Sequence, residues 1–452
     1  MRLRILATAA VAAAGLTVTG LAPTAAKSAG AAPFSVDPIL VKAPFAASRP
    51  AALPTPSECL GSFGQTCYTP VDLRSAYDIP DTIDGQPAGT GTTIMIVDAY
   101  GSPTAQSDLD SFSTTMGIPS TSLRVYTPVG MPDWSAPDDN EYGWAGETDL
   151  DVQWAHAIAP GAAIDLVVSP DAADSLDQAM RWGLAHLRPD TVSMSYGDPE
   201  LDWLTDRDSR LVYAEDSAAY ARAVTTGTTL FASSGDSWSD NNLGRSNFVT
   251  PADDPNVVAV GGTTLNDGLD PSLPDEFVWN DYDACPYGCS YGVFGGTGGA
   301  PSLTTGKQGS DVAYNASDYT SVLTYEGFHP DPADNGLYFS GGTSAGAPQW
   351  AALTADIDQA VGHDLGNIRP ALPTWAARGG LTDVTSGDNA SATYRWGYRA
   401  SRGWDVPTGY GTPDVGNLID LLAPLHGSGS HGHGSPWFSG PHTSPAHRGR
   451  FH

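Results

Sequence analysis

The stretch Ser340–Trp350 reads Ser-Gly-Gly-Thr-Ser-Ala-Gly-Ala-Pro-Gln-Trp. A short apolar run, 337–339, precedes it and predicts a strand, whereas Trp350, Leu353 and Ile357 follow at helical spacing. Ser344 is therefore expected at a helix N-terminus, where free backbone N–H groups attract negative charge. A nucleophilic serine needs such a place, because its attack on a carbonyl creates an oxyanion. The alternative is an ordinary N-cap serine at a Gly-rich junction.

A pair of acidic residues is the first candidate for the base that this serine requires. Glu147 and Asp151 lie four residues apart in Gly-Glu-Thr-Asp-Leu-Asp, so on a helix they share one face. Two carboxylates held that close cannot both ionise easily, and a proton is shared between them. Such a pair can accept the serine proton in acid, where a histidine is already protonated. The alternative is a solvated acidic helix face.

A third acid, Asp236, follows the apolar run 228–233 in Ser-Ser-Gly-Asp-Ser. This position is the carboxyl end of a predicted strand, where α/β proteins place their functional groups. A protonated Asp236 could donate a hydrogen bond to an oxyanion beside the Ser344 N–H. The alternative is a common Gly-Asp turn.

Strands and helices alternate along the chain, which predicts an α/β fold with a mainly parallel, twisted sheet and helices on both faces. Residues 265–340 are rich in Gly, Pro and Asp and predict long loops. The predicted strands are 92–100, 163–169, 191–196, 228–233 and 257–261, and the predicted helices are 104–116, 146–158, 172–187 and 211–225.

Charge composition excludes several classes of partner. The 452 residues contain 21 Lys and Arg against 51 Asp and Glu, a formal charge of −30. Such a surface repels phosphate, so nucleic acid and anionic membranes are excluded as partners. The glycine run 295–299 lacks the Gly-Lys-Ser/Thr of a phosphate-binding loop.

The N-terminal sequence indicates export, and the composition of both ends differs from that of the central part. Arg2 and Arg4 precede an apolar run and small residues at 25–26, which predicts a signal peptide over 1–26 and a secreted, extracellular protein. Residues 27–70 are Ala/Pro-rich and predict a leader, and a compact domain is expected over 71–425. The Gly/Ser/His-rich tail, 426–452, predicts disorder.

The four cysteines fit an oxidising compartment. Cys59 and Cys67 bracket one short loop, and Cys285 and Cys289 bracket another. Three connectivities are possible, of which two local disulfides are the simplest. A zinc site at the second pair is disfavoured, since no histidine pair is nearby.

Taken together, the three motifs resemble the sedolisin (serine-carboxyl peptidase) family. The resemblance covers about 92–424 and implies a subtilisin-like fold and a serine-type endopeptidase that acts on peptides or proteins, as a monomer. It implies that Glu147 is the general base with Asp151 as its partner. Asp236 would supply the oxyanion acid and Ser344 the nucleophile.

The resemblance also implies one structural calcium ion. Two segments, 381–387 and 402–409, resemble the family's ligand segments. The expected ligands are the carboxylates of Asp383 and Asp405 and the carbonyls of Val384, Ser401 and Gly403, an all-oxygen set that suits a hard cation. The family often has Gly where this chain has Ser401. Two turn aspartates without a metal are the alternative.

Three other functions are alternatives to a serine-carboxyl peptidase. A subtilisin-type peptidase would use Asp98, His156 and Ser344, although His156 lacks the expected Gly-Thr-His setting. A non-catalytic secreted binding protein on a peptidase fold is favoured by the short leader, since sedolisins typically carry a long folded pro-domain. A carboxylate-pair glycosidase leaves the serine motif unexplained.

Overall fold

In this computed structural model the described residues are 40–45, 52–205, 207–241, 243–281, 295–391 and 393–423. The strands are β1 Leu40–Lys42, β2 Thr82–Ile83, β3 Gln86–Pro87, β4 Thr93–Ala99, β5 Arg124–Tyr126, β6 Ala163–Ser169, β7 Thr191–Met194, β8 Asp198–Pro199, β9 Thr229–Ser233, β10 Val249–Thr250, β11 Val258–Leu265, β12 Glu276–Val278, β13 Val312–Asn315, β14 Val322–Glu326, β15 Gly336–Ser340, β16 Leu381–Thr382 and β17 Thr412–Pro413. The helices are α1 Pro56–Phe63, α2 Pro70–Ala76, α3 Ala105–Met116, α4 Asp139–Ile158, α5 Asp174–His186, α6 Glu200–Leu204, α7 Arg207–Thr225, α8 Thr343–Val361, α9 Leu372–Ala377 and α10 Val415–Leu422.

The central sheet has β4 in its middle. Parallel pairing links the strands in the order β5-β6-β4-β7-β9-β11-β13, and β12 pairs antiparallel with β11. The first residue of β4, Thr93, is partly buried and the rest are buried, as expected for a strand covered on both faces. Parallel strands need crossover connections, which the intervening helices supply.

Helices cover both faces of this sheet, and the alternation of β4 shows it directly. Ile94 and Ile96 pack with buried residues of α3, α4 and α8. Met95 and Val97 point to the opposite face and pack with buried residues of α5 and α7. The predicted α/β fold with a mainly parallel sheet and helices on both faces is therefore confirmed.

Two regions differ from the sequence prediction. Residues 265–340, predicted as long loops apart from the strand at 337–339, contain β12 to β15. These strands are three to five residues long, and their composition resembles that of loops. Their pairing with β11, with one another and with β1 stabilises them, so the order arises from tertiary contacts.

The described part of the predicted leader is structured rather than extended. Its strand β1 pairs antiparallel with β15, Leu40 opposite Ser340. Helix α1 begins with a capping box made by Thr55 and Glu58, and Cys59 in this helix is disulfide-bonded to Cys67. Both cysteines are buried in the core, so the folded part begins before the boundary expected at residue 71.

Several other sequence predictions fall outside the described residues. These are the signal peptide over 1–26, the tail over 426–452 and the disulfide between Cys285 and Cys289. Within the described part of the chain, no helix has the length and apolar character needed to cross a bilayer.

Candidate active site

Ser344 is the second residue of α8, as the sequence predicts, and its side chain is 7% exposed. Helix α8 follows β15 after a two-residue turn whose Gly342 has φ of 95°. A Cβ at Gly342 would lie 2.5 Å from Asp236 Oδ2, so the turn requires glycine for both its backbone and its space. The first-turn N–H groups of α8 are therefore held next to the Ser344 hydroxyl, where they can stabilise negative charge.

Asp236 is bound to the same turn. Its Oδ1 accepts hydrogen bonds from the Thr343 N–H at 2.8 Å and from Thr343 Oγ1 at 2.6 Å. The Gly235 N–H donates in turn to Thr343 Oγ1 at 3.2 Å. The structure thus brings Asp236 and Ser344 together from β9 and α8, and Thr343 fixes the orientation of the Asp236 carboxyl group.

Glu147 and Asp151 are both fully buried on α4. This excludes the alternative of a solvated acidic face, because each carboxyl group is removed from water. Burial raises the pKa of Asp151 well above its usual value, and the neighbouring charges of Asp98 and Glu147 raise it further. Under acid conditions the Asp151 carboxyl group therefore holds a proton.

Asp98 is a third member of this acid cluster, which we define as Asp98, Glu147 and Asp151. It stands near the carboxyl end of β4 on the face covered by α4 and α8, and it is fully buried. Burial raises its pKa to about 7, although a hydrogen bond with Thr148 acts in the opposite direction. The sequence analysis named Asp98 only for the subtilisin-type alternative. Its position near the carboxyl end of a strand that is almost wholly buried was the signal for a role in the site.

Ser195 connects the acid cluster to the serine. Its Oγ lies 2.8 Å from Asp151 Oδ1 and 3.3 Å from the backbone carbonyl oxygen of Ser344. Helices α4 and α8 pack directly on each other around this contact. The sequence analysis gave Ser195 no role beyond its place in the predicted strand 191–196, because only packing shows which hydroxyl bridges two helices.

His156 does not serve the site as the subtilisin-type alternative requires. It is fully buried, and its Nε2 lies 2.6 Å from the Pro119 carbonyl oxygen. Burial lowers its pKa, and the charge of Arg74 lowers it further. The other three histidines in the described residues contact groups elsewhere: His186 the Trp182 carbonyl, His329 Glu326, and His363 the Val361 carbonyl.

The predicted calcium segments adjoin each other. Asp383 Oδ2 accepts a hydrogen bond from the Gly403 N–H at 2.8 Å, and Asp405 Oδ2 accepts one from the Ser401 N–H at 2.9 Å. Burial raises the pKa of Asp405, and the charge of Asp383 adds to this rise. Two carboxylates thus face one turn, 401–405, and Val384 is buried beside them. The donor set, carboxylate and turn backbone oxygens, fits a hard cation.

A profile of the subtilase family (Peptidase_S8) matches residues 143–378, which include Glu147, Asp151, Asp236 and Ser344. The chain belongs to the subtilase family. Among characterised relatives it is 30% identical to kumamolisin of Bacillus sp. over 80% of this chain and 65% of that protein. It is also 30% identical to sedolisin of Pseudomonas sp., over 78% of this chain and 60% of that protein. The chain thus spans less than two thirds of the length of these relatives.

A solved structure of Pseudomonas sedolisin, a serine-carboxyl proteinase complexed with two molecules of pseudo-iodotyrostatin, is similar to this subtilase. The TM-score is 0.66 at 25% identity, covering 79% of this chain and 98% of that one. The resemblance to the sedolisins and the subtilisin-like fold are therefore confirmed, and the relatives are serine peptidases.

Proposed function

We propose that the protein is a secreted serine-carboxyl endopeptidase that hydrolyses peptide bonds of peptide or protein substrates at acid pH. One observation carries the proposal: a fully buried acid cluster on α4 and β4 is joined through Ser195 to the helix turn that bears Ser344. The curated relatives, among them sedolisin and several tripeptidyl-peptidases, support the reaction class.

In the proposed reaction, Ser344 Oγ attacks the scissile carbonyl carbon and its proton passes to Glu147. Asp98 and Asp151 have raised pKa values, so they hold protons and donate hydrogen bonds that stabilise the charge of the cluster. The tetrahedral oxyanion receives hydrogen bonds from the Ser344 N–H and from protonated Asp236. Glu147 then returns the proton to the departing amine, and water hydrolyses the acyl-enzyme by the same steps.

The same groups predict a pH profile. An acid whose pKa is raised in the folded protein keeps its proton at acid pH and loses it as the pH rises through the raised value. Since the pKa of Asp98 is raised to about 7, the cluster collects negative charge near neutrality, and an ionised Asp236 would repel the oxyanion. We expect kcat/KM for a peptide substrate to be highest below pH 6 and to fall by about tenfold or more by pH 8.

Initial rates of cleavage of a fluorogenic peptide, measured over a series of pH values, give this profile. A peptide aldehyde, which adds reversibly to a nucleophilic serine, should inhibit in the same pH range. An optimum at neutral or alkaline pH would contradict the acid-cluster mechanism, and absence of both cleavage and aldehyde binding at every pH would favour a non-catalytic binding protein.

We further propose that Asp383 and Asp405 hold one calcium ion together with the carbonyls of Val384, Ser401 and Gly403. The support is the proximity of two carboxylates around one turn, since an ion between them would offset their repulsion. Bound calcium would fix the turn 401–409, and it takes no part in the proposed chemistry.

Calcium removal tests this proposal. At saturating calcium a site of this kind stabilises the fold by about 2–3 kcal/mol, so chelation with EGTA should lower Tm by about 5 °C. Asp405→Asn should abolish the calcium-dependent part of Tm, because it removes one carboxylate ligand. Asp388→Asn, which changes an aspartate facing Arg399 at 4.0 Å, should leave that part unchanged. Equal Tm values with calcium and with EGTA would overturn the proposal.

A further inference from the structure

An open cavity lies between α5, α6 and α7 and the chain that follows β7. It opens to the solvent. Its lining includes Ala173, Tyr196, Val212 and Pro251, and the strand pair β8–β10 closes one side. An open cavity with a mixed lining of this kind suits a side chain that has both an apolar and a polar part.

The cavity adjoins the candidate active site through Tyr196. This residue follows Ser195, which contacts Asp151, and its ring centroid lies 6.5 Å from that of Trp144 on α4. Burial raises the pKa of Tyr196, and the charges of Asp177 and Asp216 in the cavity wall and of Asp98 in the acid cluster raise it further. The Tyr196 side chain is therefore near enough to both the cavity acids and the acid cluster to interact with their charges.

The lining combines aromatic rings with carboxyl groups and contains no lysine or arginine among the described residues. Trp203 and Tyr213 are stacked, with ring centroids 4.2 Å apart. Aromatic faces and carboxylates together are the groups that attract an organic cation. The four aromatic residues are Tyr196, Trp203, Tyr213 and Tyr220, and the four acids are Asp174, Asp177, Asp198 and Asp216.

The buried acids of the cavity wall outnumber the cations that neighbour them. Arg181 forms an ion pair with Asp216 and lies 3.8 Å from Glu215. It can offset only one charge of the buried Asp177–Asp216 pair. Burial, followed by the charge of Asp216, raises the pKa of Asp177 well above its usual value, so this carboxyl group stays protonated until a cation stabilises its ionised form.

A hydrogen-bond donor in the same wall also lacks a partner. Trp203 is 6% exposed, and its indole Nε1–H makes no hydrogen bond among the described residues. A buried donor of this kind is costly unless a ligand satisfies it. A peptide carbonyl next to a long basic side chain is an acceptor of the required kind.

We infer that this cavity is a specificity pocket for a lysine or arginine side chain of the peptide substrate. The inference rests on the proposed peptidase function for its role in catalysis, but the binding of a cationic side chain is independent of cleavage. Aromatic rings would cover the aliphatic stem, and Asp174 and Asp177 would face the charged end.

Matched peptides that carry arginine or its neutral analogue citrulline at each position in turn test the pocket. At one position we expect kcat/KM to be about tenfold higher for arginine. Asp177→Asn should reduce this preference to about twofold or less. Glu215→Gln is the matched control, because it removes a 69%-exposed acid next to Asp216 that is not in the wall, and it should keep the preference.

The preference should also increase as the pH rises from 4 toward neutrality, because the cation favours loss of the Asp177 proton. The charged and titratable groups around Asp177 are Asp174 and Arg181 on α5, Asp216 and Tyr220 on α7, and Tyr196 after β7. The two tyrosines keep their protons in this range, since burial raises the pKa of each.

A second variant and a binding measurement distinguish this inference from the proposed function. Asp174→Asn alters an exposed acid of the wall and should reduce the preference without affecting folding. Calorimetry with the Ser344→Ala protein should show that the arginine peptide binds more tightly than the citrulline peptide. This binding result would support the pocket even if the wild-type chain cleaved nothing. Two results would overturn the pocket inference and leave the proposed peptidase function intact. One is an equal kcat/KM for the arginine and citrulline peptides at every position, and the other is an arginine preference that is unchanged in both wall variants.

Discussion

Replacing Ser344 by alanine is expected to lower kcat/KM by about 10⁴- to 10⁶-fold near pH 4, the largest effect of any single substitution proposed for this chain. In the proposed mechanism the oxygen of the Ser344 hydroxyl forms the acyl-enzyme, and alanine has no atom that could replace it. The fold should persist, because the side chain loses one oxygen and the helix keeps its Gly342 turn. Steady-state cleavage of a fluorogenic peptide, with circular dichroism of both proteins, measures the effect.

Ser113→Ala provides the matched control. Ser113 is also a buried helix serine, 1% exposed on α3, and its Oγ has no hydrogen-bond partner among the described residues. Its loss should leave kcat/KM within about twofold, since surface and core changes without a catalytic role alter stability rather than chemistry. Ser344→Ala protein with wild-type activity would remove this serine from the mechanism.

Glu147→Gln is expected to lower kcat by about 10³- to 10⁴-fold across the acid range, with little change in KM. Glutamine matches the size of the glutamic acid and can fill the same buried position, but it cannot accept the serine proton. Because the lost interaction belongs to the transition state, the deficit should appear in kcat. Single-turnover measurements would show whether acylation is the step that slows.

Asp149→Asn is a close control for that variant, since Asp149 lies between Glu147 and Asp151 on α4 and is equally buried. Its surroundings are different: burial raises its pKa well above the usual value, and the charges of Asp108 and Glu326 add to the rise. The protonated acid and the asparagine are both neutral donors, so activity near pH 4 should stay within about threefold of the wild type. A loss as large as that of Glu147→Gln would mean that α4 acids act through stability and not as a base.

Much of the sheet follows from local patterns. The strand 163–169 was predicted with the bounds of β6, and the predicted 92–100 exceeds β4 by one residue at each end. These runs are apolar because they are buried on both faces, so the sequence signal and the structure have one cause. Strands β12 to β14 gave no such signal, because they are short and depend on partners distant in sequence. The apolar run 337–339 did predict β15.

The candidate site likewise has features that follow from the local sequence and features that depend on tertiary packing. The sequence motif around Ser344 and the four-residue spacing of Glu147 and Asp151 place these groups at a helix start and on one helix face, since helix geometry is local. The proximity of Asp98 to Asp151 could not be predicted in this way, because it depends on the packing of α4 against β4. The Ser195 contact with both Asp151 and Ser344 brings together residues 44 and 149 positions apart.

The sequence alone determined the place of Ser344 at a helix start, the spacing of the acid pair and the alternation of strands and helices, because each depends on residues within one or two helical turns. The tertiary structure decided the burial of the acid cluster and the turning of His156 toward Pro119. It also brought Asp177 of α5 and Asp216 of α7 into one cavity wall. Burial and proximity set the pKa of a carboxyl group, and both arise only when distant elements pack together.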